Sequence, residues 1–416
     1  MNILARELVK YERRVNRIKT NPDPAKMRSN SLLYELWCDL RRSQIAALEQ
    51  GKPVVYLAME APARVFLAMG FHVVHLLLLA DRLAAEAPEY IPRARGAGYP
   101  DFVCGRVPTA AGLLMSGDLP RPSLIVTDTS VCNAGTLVGL LAHHYLKVPV
   151  FTIDSDGLTN DYQSVAYVAG QIREAIEFAE RTVPGVKYDE QALVALQGRQ
   201  SELHHLEHEI KELKKAVPCP ISTQDSLKVP PYIEMQDARI VDYYRSLVGE
   251  LTERVREGKS AVAVERMRLY WLVSLPFYAD IFGFLERNGM TVPLFEPSAS
   301  DDFRRFGNDE QYGRHLTPLE EEAAFILGIV WAGDTKRRVQ DILKNAREFR
   351  IDGLVHFQQA GCTPNLGNAQ IVARRVREEL GIPSVFIDGC CLDSAKFNQE
   401  EFERKMLEFL ELHSRL

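Results

Sequence analysis

Short runs of wholly apolar residues alternate with amphipathic segments twice along this 416-residue chain, and this pattern restricts the fold more than any other feature. The first series contains VVYLA, VVHLLLL, SLIVTDT and VPVFTID, and the second contains RLYWLVSL, VPLFEP, GLVHFQQAG and IPSVFID. Strands that are apolar on both faces are typical of parallel sheets, which helices cover on both sides. The sequence therefore predicts two parallel-sheet α/β domains with helices on both faces.

The remaining segments set the domain boundaries. Residues 1–50 carry apolar residues at three- and four-residue spacing, which predicts an N-terminal helical segment ending near Gly51. We place the first α/β domain at residues 51–185 and the second at 226–416. Residues 186–225 are predicted to form a linking helix, because Leu and Ile recur at near-heptad spacing until Pro218 and Pro220 prevent continuation. The two domains would enclose a cleft at the carboxyl ends of their strands, where open α/β sheets bind ligands.

Composition excludes several classes of protein. A net charge of −6 provides no global basic field, so neither nucleic acid nor a membrane is predicted as a partner. The first residues, MNILARELVKYERRV, lack the apolar core of a secretory signal, which favours a cytoplasmic location. Seven cysteines, an odd number, argue against a disulfide framework. Each cysteine is then a ligand, a catalytic group or a small core residue, and Cys38 on the N-terminal helix is predicted to be the last.

Three cysteines lie where a thiolate would be stabilised. Cys132 and Cys362 each follow a predicted strand and precede a helix, and Cys104 also precedes a helical stretch. Exposed N–H groups and the helix dipole at such positions favour anions and lower the pKa of a thiol. A cluster of four irons held by three thiolates would leave one iron open to substrate. From spacing alone, a second interpretation stays open, in which the three cysteines are small apolar residues in tight turns.

Most of residues 51–410 resemble the 2-hydroxyacyl-CoA dehydratase and benzoyl-CoA reductase family of iron-sulfur subunits. The resemblance lies in MEAPARVFLAMGF, FVCGRVPTAAGLLMSG, TSVCNAGTLVGLLAHHYLKVPVF and DGLVHFQQAGCTPNLGNAQIVARRVREELGIPSVFIDGCCLD. It implies that Cys104, Cys132 and Cys362 hold a 4Fe-4S cluster between the two domains, close to an acyl-CoA thioester. It also implies an anaerobic enzyme that passes single electrons into that substrate, and either dehydrates a 2-hydroxyacyl-CoA or reduces a benzoyl ring.

The same resemblance implies protein partners. A separate ATP-hydrolysing iron-sulfur activator would supply the electrons, and a homologous subunit would complete a heterodimer, with a homodimer as the alternative. The chain has no G-x-x-x-x-G-K-[ST] segment and no G-x-G-x-x-G after a strand, so it carries no ordinary nucleotide motif of its own.

The chain also departs from the family pattern. Asn133 and Cys390 occupy positions where many relatives carry an acidic residue. Both positions lie near the expected substrate pocket, so these differences affect the prediction of the substrate more than the prediction of the cluster. Cys390 and Cys391 follow the last strand, and an extra thiolate there could reach the same rim. A reductase of small molecules with a double-cubane cluster is therefore an alternative.

Other polar residues are weaker candidates. Glu60 ends the first strand and is a candidate catalytic carboxylate, although a helix cap would also explain it. The candidate substrate-binding residues precede Cys362 on its strand, where contacts to cluster sulfurs or core packing are equally open: His356, Gln358 and Gln359. A zinc hydrolase is a further alternative, because three residues fit an H-x-x-E-H pattern that a solvated helix would also explain: His204, Glu207 and His208.

Overall fold

The computed structural model describes residues 2–23, 26–155, 161–226, 237–298, 305–307, 309–329, 331 and 334–414. Within these residues, two four-stranded sheets, parallel throughout, form the centres of two α/β domains. The strands are β1 Val54–Leu57, β2 His72–His75, β3 Leu124–Asp128, β4 Val150–Ile153, β5 Met267–Leu272, β6 Met290–Phe295, β7 Gly353–Gln359 and β8 Ser384–Gly389. The predicted fold class is confirmed.

Helices cover the sheets and form an additional helical layer. They are α1 Ile3–Thr20, α2 Asn30–Glu49, α3 Ala63–Ala68, α4 Leu76–Arg82, α5 Ala87–Gly96, α6 Arg106–Ser116, α7 Ala134–Leu146, α8 Tyr162–Thr182, α9 Glu190–Lys214, α10 Thr223–Ser226, α11 Arg239–Arg256, α12 Ile281–Arg287, α13 Asp309–Tyr312, α14 Pro318–Leu327, α15 Thr335–Glu348, α16 Thr363–Leu366, α17 Ala369–Leu380 and α18 Gln399–His413. None of the helices in the described part of the chain combines the length and the apolar character needed to cross a bilayer.

Both sheets have the same strand order, which fixes where a ligand would bind. The first runs β2-β1-β3-β4 and the second β6-β5-β7-β8. In each, the chain moves outward on one side of its first strand and then crosses back to the other side. The carboxyl ends of β1 and β3, and of β5 and β7, therefore flank a topological switch point, where α/β sheets usually bind ligands.

The helical segments pack together rather than acting as separate linkers. Helices α1, α2, α9 and α11 share one apolar core, which contains Trp37 and Cys38 of α2 together with Leu203 and Ile210 of α9. Cys38 is 3% exposed in this core and Cys219 is fully buried beside it. The chain thus begins with a helical segment, as predicted, and α2 ends at Glu49 shortly before Gly51 adopts a left-handed φ of 64°.

Packing also crosses the predicted domain boundaries. Helix α14, late in the chain, lies against α8 and contributes Ala323, Ala324 and Leu327 to the core of the first domain. A buried ion pair joins them, since Arg64 of α3 donates to Glu322 of α14 over 2.8 and 3.0 Å. The division of the chain at residues 186 and 226 stays a prediction, and α14 extends the contact between the domains.

Candidate functional site

The carboxyl-terminal edges of the two sheets carry most of the predicted site residues. Glu60 follows β1 and Cys132 follows β3, so these two flank the switch point of the first sheet. Cys362 follows β7 in the second sheet, while Cys104 lies in the loop between α5 and α6. All four residues are partly exposed. They belong to segments that meet at the seam between the domains.

Each of the three predicted cysteines accepts a backbone N–H from the first turn of the helix that follows it. Cys132 Sγ accepts from the N–H of Ala134, with 3.5 Å between sulfur and nitrogen. Cys104 Sγ accepts from the N–H of Arg106 in α6, and Cys362 Sγ accepts from the N–H of Asn365 in α16. Such donors stabilise a thiolate. The local contacts that the sequence predicted for these cysteines are therefore present at all three.

The structure places the three thiols within range of one another's charge across the seam. Their charges interact in all three pairings, Cys104 with Cys132, Cys104 with Cys362, and Cys132 with Cys362. Gly361 permits this approach, because a Cβ built on it would lie 2.3 Å from the carbonyl oxygen of Phe102 and 2.5 Å from the nitrogen of Cys104. Only a residue without a side chain can bring these two loops so close.

Two further cysteines extend this group into the protein. The thiol of Cys391 lies within hydrogen-bonding reach of the sulfurs of Cys104 and Cys390. Gln359 joins the same sulfurs, since its Nε2 is 3.5 Å from Cys104 Sγ and 3.5 Å from Cys390 Sγ, and its Oε1 accepts the N–H of Cys391 at 2.8 Å. Of the alternatives open for Gln359, the structure shows contacts with cysteine sulfurs.

The thiols differ in how readily they ionise. A hydrogen bond from Cys391 lowers the pKa of Cys104, against burial, and the charge of Arg106 acts in the same direction. The same Cys391 proton, shared between the two sulfurs, lowers the pKa of Cys390 to about 5. Burial raises the pKa of Cys362 to about 12 and also raises that of Cys132, so the expectation that helix N-termini lower the pKa is wrong for these two thiols, because burial outweighs the backbone N–H donors. Cys132 and Cys362 must therefore release protons before they can bind a metal.

Arg106 supplies positive charge beside these thiols. Its Nε donates to Asp81 Oδ1 of α4 at 2.6 Å, and its Nη2 donates to Ser274 Oγ of the second domain at 3.4 Å. The guanidinium also lies over the ring of Phe277, 5.6 Å from the ring centroid. The thiols of Cys104, Cys362 and Cys391 all interact with its charge. Nothing in the sequence pattern singled out Arg106, although its place two residues after a candidate ligand is a signal.

A carboxyl that the sequence analysis missed lies beside Glu60. Asp128 ends β3, is fully buried, and accepts a hydrogen bond at Oδ1 from the backbone N–H of Ser130 at 2.9 Å. Burial raises the pKa of Asp128 to about 7, and the charge of Glu60 adds to that rise. Glu60 thus lies beside a second, fully buried carboxyl, and its catalytic role stays a prediction. The buried apolar run that ends in Asp128 could have drawn attention to it.

The other predicted residues on β7 lie apart from the thiols. His356 is fully buried, stacks on Phe386 with ring centroids 4.7 Å apart, and bonds to Ser384 Oγ at 3.3 Å. Burial lowers its pKa to about 3, so this ring stays neutral. Gln358 is partly buried and is the nearer of the two to the strand end. His356 packs between strands in this structure, and substrate binding by His356 and Gln358 stays a prediction.

The three residues of the zinc alternative do not converge. Glu207 accepts from the hydroxyl of Tyr244 at 3.1 Å, and His208 lies 3.9 Å from Glu212 on the exposed side of α9. Among the described residues, no group of three His, Cys, Asp or Glu side chains is arranged to hold a single metal ion. The geometry therefore gives the zinc alternative no support.

Two parallel-sheet α/β domains with thiols meeting at their facing edges define the class: a two-domain protein with a cysteine-rich interdomain site. The chain belongs to the family described as 2-hydroxyglutaryl-CoA dehydratase, D-component, whose profile matches residues 58–412. The resemblance seen in the sequence is confirmed.

The characterised relatives include both benzoyl-CoA reductase and 2-hydroxyacyl-CoA dehydratase subunits. One benzoyl-CoA reductase subunit of Thauera aromatica is 22% identical over 424 residues, covering 95% of this chain and 96% of that protein. The (R)-phenyllactyl-CoA dehydratase alpha subunit of Clostridium sporogenes is 21% identical over 403 residues, covering 93% and 96%. The alpha subunit of (R)-2-hydroxyglutaryl-CoA dehydratase from Acidaminococcus fermentans is 20% identical over 299 residues, covering 69% and 60%. Because these sequence identities are nearly equal, the comparisons favour neither the dehydratase reaction nor the reductase reaction.

Proposed function

We propose that this chain is the iron-sulfur subunit of a low-potential acyl-CoA enzyme, either a 2-hydroxyacyl-CoA dehydratase or a benzoyl-CoA reductase. The observation that carries the proposal is the meeting of Cys104, Cys132 and Cys362, which are far apart in sequence, at one seam between two domains. A core packing role would not need three sulfurs, each facing a backbone N–H donor, at the ligand-binding edges of two sheets.

The donor set fits a 4Fe-4S cluster better than a single metal ion. Cysteine thiolates are the usual ligands of such clusters, and each thiolate binds a different iron. The three sulfurs therefore need not converge on one point, which agrees with the lack of a single-ion site among the described residues. Cys104, Cys132 and Cys362 would hold the cluster, and when bound it supplies one-electron transfer to the acyl-CoA.

The residues of the chain would provide binding, charge and exclusion of water. The backbone N–H groups of Arg106, Ala134 and Asn365 offset the charge of the thiolates. Asp128 ends β3 beside Glu60, and burial raises its pKa to about 7, so Asp128 can hold a proton near neutral pH. Glu60, the more exposed of the two carboxyls, would exchange a proton with a substrate in the cleft.

Partners follow from the same proposal. Relatives of the chain are subunits by name, and a homologous subunit or a second copy would complete the enzyme. Large apolar side chains on the elements that carry Cys104 and Cys132 remain exposed, with Phe102 at 78%, Leu140 at 64% and Tyr145 at 47%. A homologous subunit bound at these elements would cover these side chains. A separate ATP-hydrolysing activator would deliver the electrons.

Metal content tests the proposal directly. Protein purified without oxygen should be brown and contain about four irons per chain. Cys104→Ser, Cys132→Ser and Cys362→Ser should each lose the iron. The matched controls are Cys38→Ser and Cys219→Ser, which change buried cysteines of the helical core and its edge and should retain it. Zinc in place of iron, or iron retained in all three ligand variants, would overturn the proposal.

Substrate assays then separate the two reactions. The complete enzyme, with its activator and ATP, should either release water from a 2-hydroxyacyl-CoA or reduce benzoyl-CoA. Turnover of one and not the other would assign the reaction. Turnover of neither, with iron present, would favour the alternative of a reductase acting on other small molecules.

A further inference from the structure

The guanidinium of Arg106 lies at the seam between the two domains. It belongs to the first turn of α6, where its backbone N–H faces the sulfur of Cys104. Its side chain bonds to Asp81 at 2.6 Å within the first domain and to Ser274 at 3.4 Å in the second. One residue therefore contacts a proposed ligand, a counter-ion and the opposite domain.

The opposite side of this contact is held in place independently. Val273, which precedes Ser274, has a left-handed φ of 78°, a conformation that a β-branched residue rarely adopts. Its N–H donates to Glu296 at 2.9 Å, and Glu296 is paired with the buried Arg338 at 2.7 Å. The indole of Trp271 also donates to the carbonyl of Ser274 at 2.6 Å. Ser274 thus meets Arg106 from a fixed position.

The charge at this point matters because the surroundings exclude much of the solvent. The side chains of Arg106 and Asp81 are 29% and 15% exposed, so water screens their charges only partly. The positive charge of Arg106 interacts with the thiols of Cys104, Cys362 and Cys391. Asp81 carries the opposite charge and offsets part of it.

We propose that Arg106, balanced by Asp81, is a positioning residue that holds positive charge beside the thiolate ligands and raises the reduction potential of the cluster they bind. The inference rests on the proposed function. Adding an electron to a cluster adds negative charge, so a nearby cation stabilises the reduced form and a nearby anion destabilises it. The two partners of this ion pair must therefore act in opposite directions.

The test compares two variants whose reduction potentials should shift in opposite directions. Arg106→Gln should move the midpoint potential of the anaerobically prepared full-length protein to a more negative value, by at least a tenfold change in the one-electron equilibrium, about 59 mV. Asp81→Asn should move it to a more positive value, because the full charge of Arg106 is then uncompensated. Arg106→Lys keeps the charge and should stay near the wild-type potential.

The measurement is a redox titration followed by electron paramagnetic resonance, with the iron content of each variant determined in parallel. A purely structural role for the ion pair would shift both variants in the same direction or neither, and that result would overturn the inference. If Arg106→Gln fails to retain iron, Asp81→Asn still decides, since an unchanged potential there also overturns it. Absence of iron from the wild-type protein would instead overturn the proposed function.

Discussion

Replacing Gly361 by alanine should disturb the thiol site more than it disturbs the fold. Gly361 precedes Cys362 and has a φ of 76°, so it adopts the left-handed conformation that disfavours a side chain. The Cβ of an alanine would meet backbone atoms of the Cys104 loop, 2.3 Å from Phe102 O and 2.5 Å from Cys104 N. Backbone cannot rotate away as a flexible side chain can, so one loop must move.

The size of that movement follows from the distances. Relieving a 2.3 Å contact to the 3.4 Å of ordinary van der Waals contact requires a displacement of 1.1 Å. The left-handed conformation alone costs about 1–2 kcal/mol with a side chain present. Because Gly361 is adjacent to Cys362 and the clash is with Cys104, the displacement separates two of the three proposed ligands.

A second glycine provides the control. Gly381 ends α17 with a φ of 72° and has no atom within 4 Å of a built Cβ. Gly381→Ala should therefore carry the conformational cost without the clash. We expect Gly361→Ala to have the lower thermal midpoint of the two and to lose iron, while Gly381→Ala retains it.

The assays are thermal unfolding and iron analysis of both variants after identical anaerobic preparation. Equal midpoints and equal iron contents would refute the argument that the approach of the two loops depends on Gly361. The comparison of midpoints does not depend on the cluster, so the packing argument can fail or succeed separately from the proposed function.

Two further predictions concern buried charge. Asp128→Asn should flatten the pH dependence of stability, because the folded carboxyl has a pKa of about 7 against an ordinary value of 3.8. The contribution of Asp128 to the stability of the wild-type protein, about 4 kcal/mol, should thus be fully present below the lower value and lost as the pH rises through the higher one. Denaturant titrations at several pH values measure this, and parallel curves would contradict it. Glu296→Gln leaves the Arg338 guanidinium, 2% exposed, without its counter-ion, and should cost about 3–5 kcal/mol. The control Glu408→Gln removes half of an ion pair that is 60% and 58% exposed and should change stability by less than about 1 kcal/mol in the same titrations; similar losses would refute the argument.

The sequence was sufficient for the fold class because the central strands of both sheets are buried on both faces. Strands β1, β3 and β5 are buried at every position, so each appears as a continuous apolar run. The order of the strands was not predictable in the same way. The order depends on the side of the first strand to which each crossover returns the chain. The hydrophobic pattern of a single segment contains no information about that side.

The site was predictable only where local geometry determines it. Cys132 and Cys362 each lie between a strand and a helix. This position can be recognised in the sequence, because the apolar run of the strand ends just before the helical pattern begins. The contact of Cys104 with Gln359 joins residues 255 positions apart, and that of Cys104 with Cys391 is just as remote. Such contacts arise when two domains dock, and only the assembled structure shows them. Arg106 was missed for the same reason, since Ser274 belongs to the other domain.

Placing the thiols at a seam makes the site depend on docking as well as on folding. Cys104 and Cys132 are positioned by the first domain, whereas Cys362 comes from the second. Separation of the domains would remove one thiol from the other two without unfolding either sheet. A group bound by all three would conversely stabilise the docked arrangement, because binding to one conformation favours that conformation. The ion pair of Arg95 with Asp393 at 2.7 Å, which also crosses the seam, acts in the same direction. Loss of the bound group should therefore loosen the contact between the domains before it affects either core.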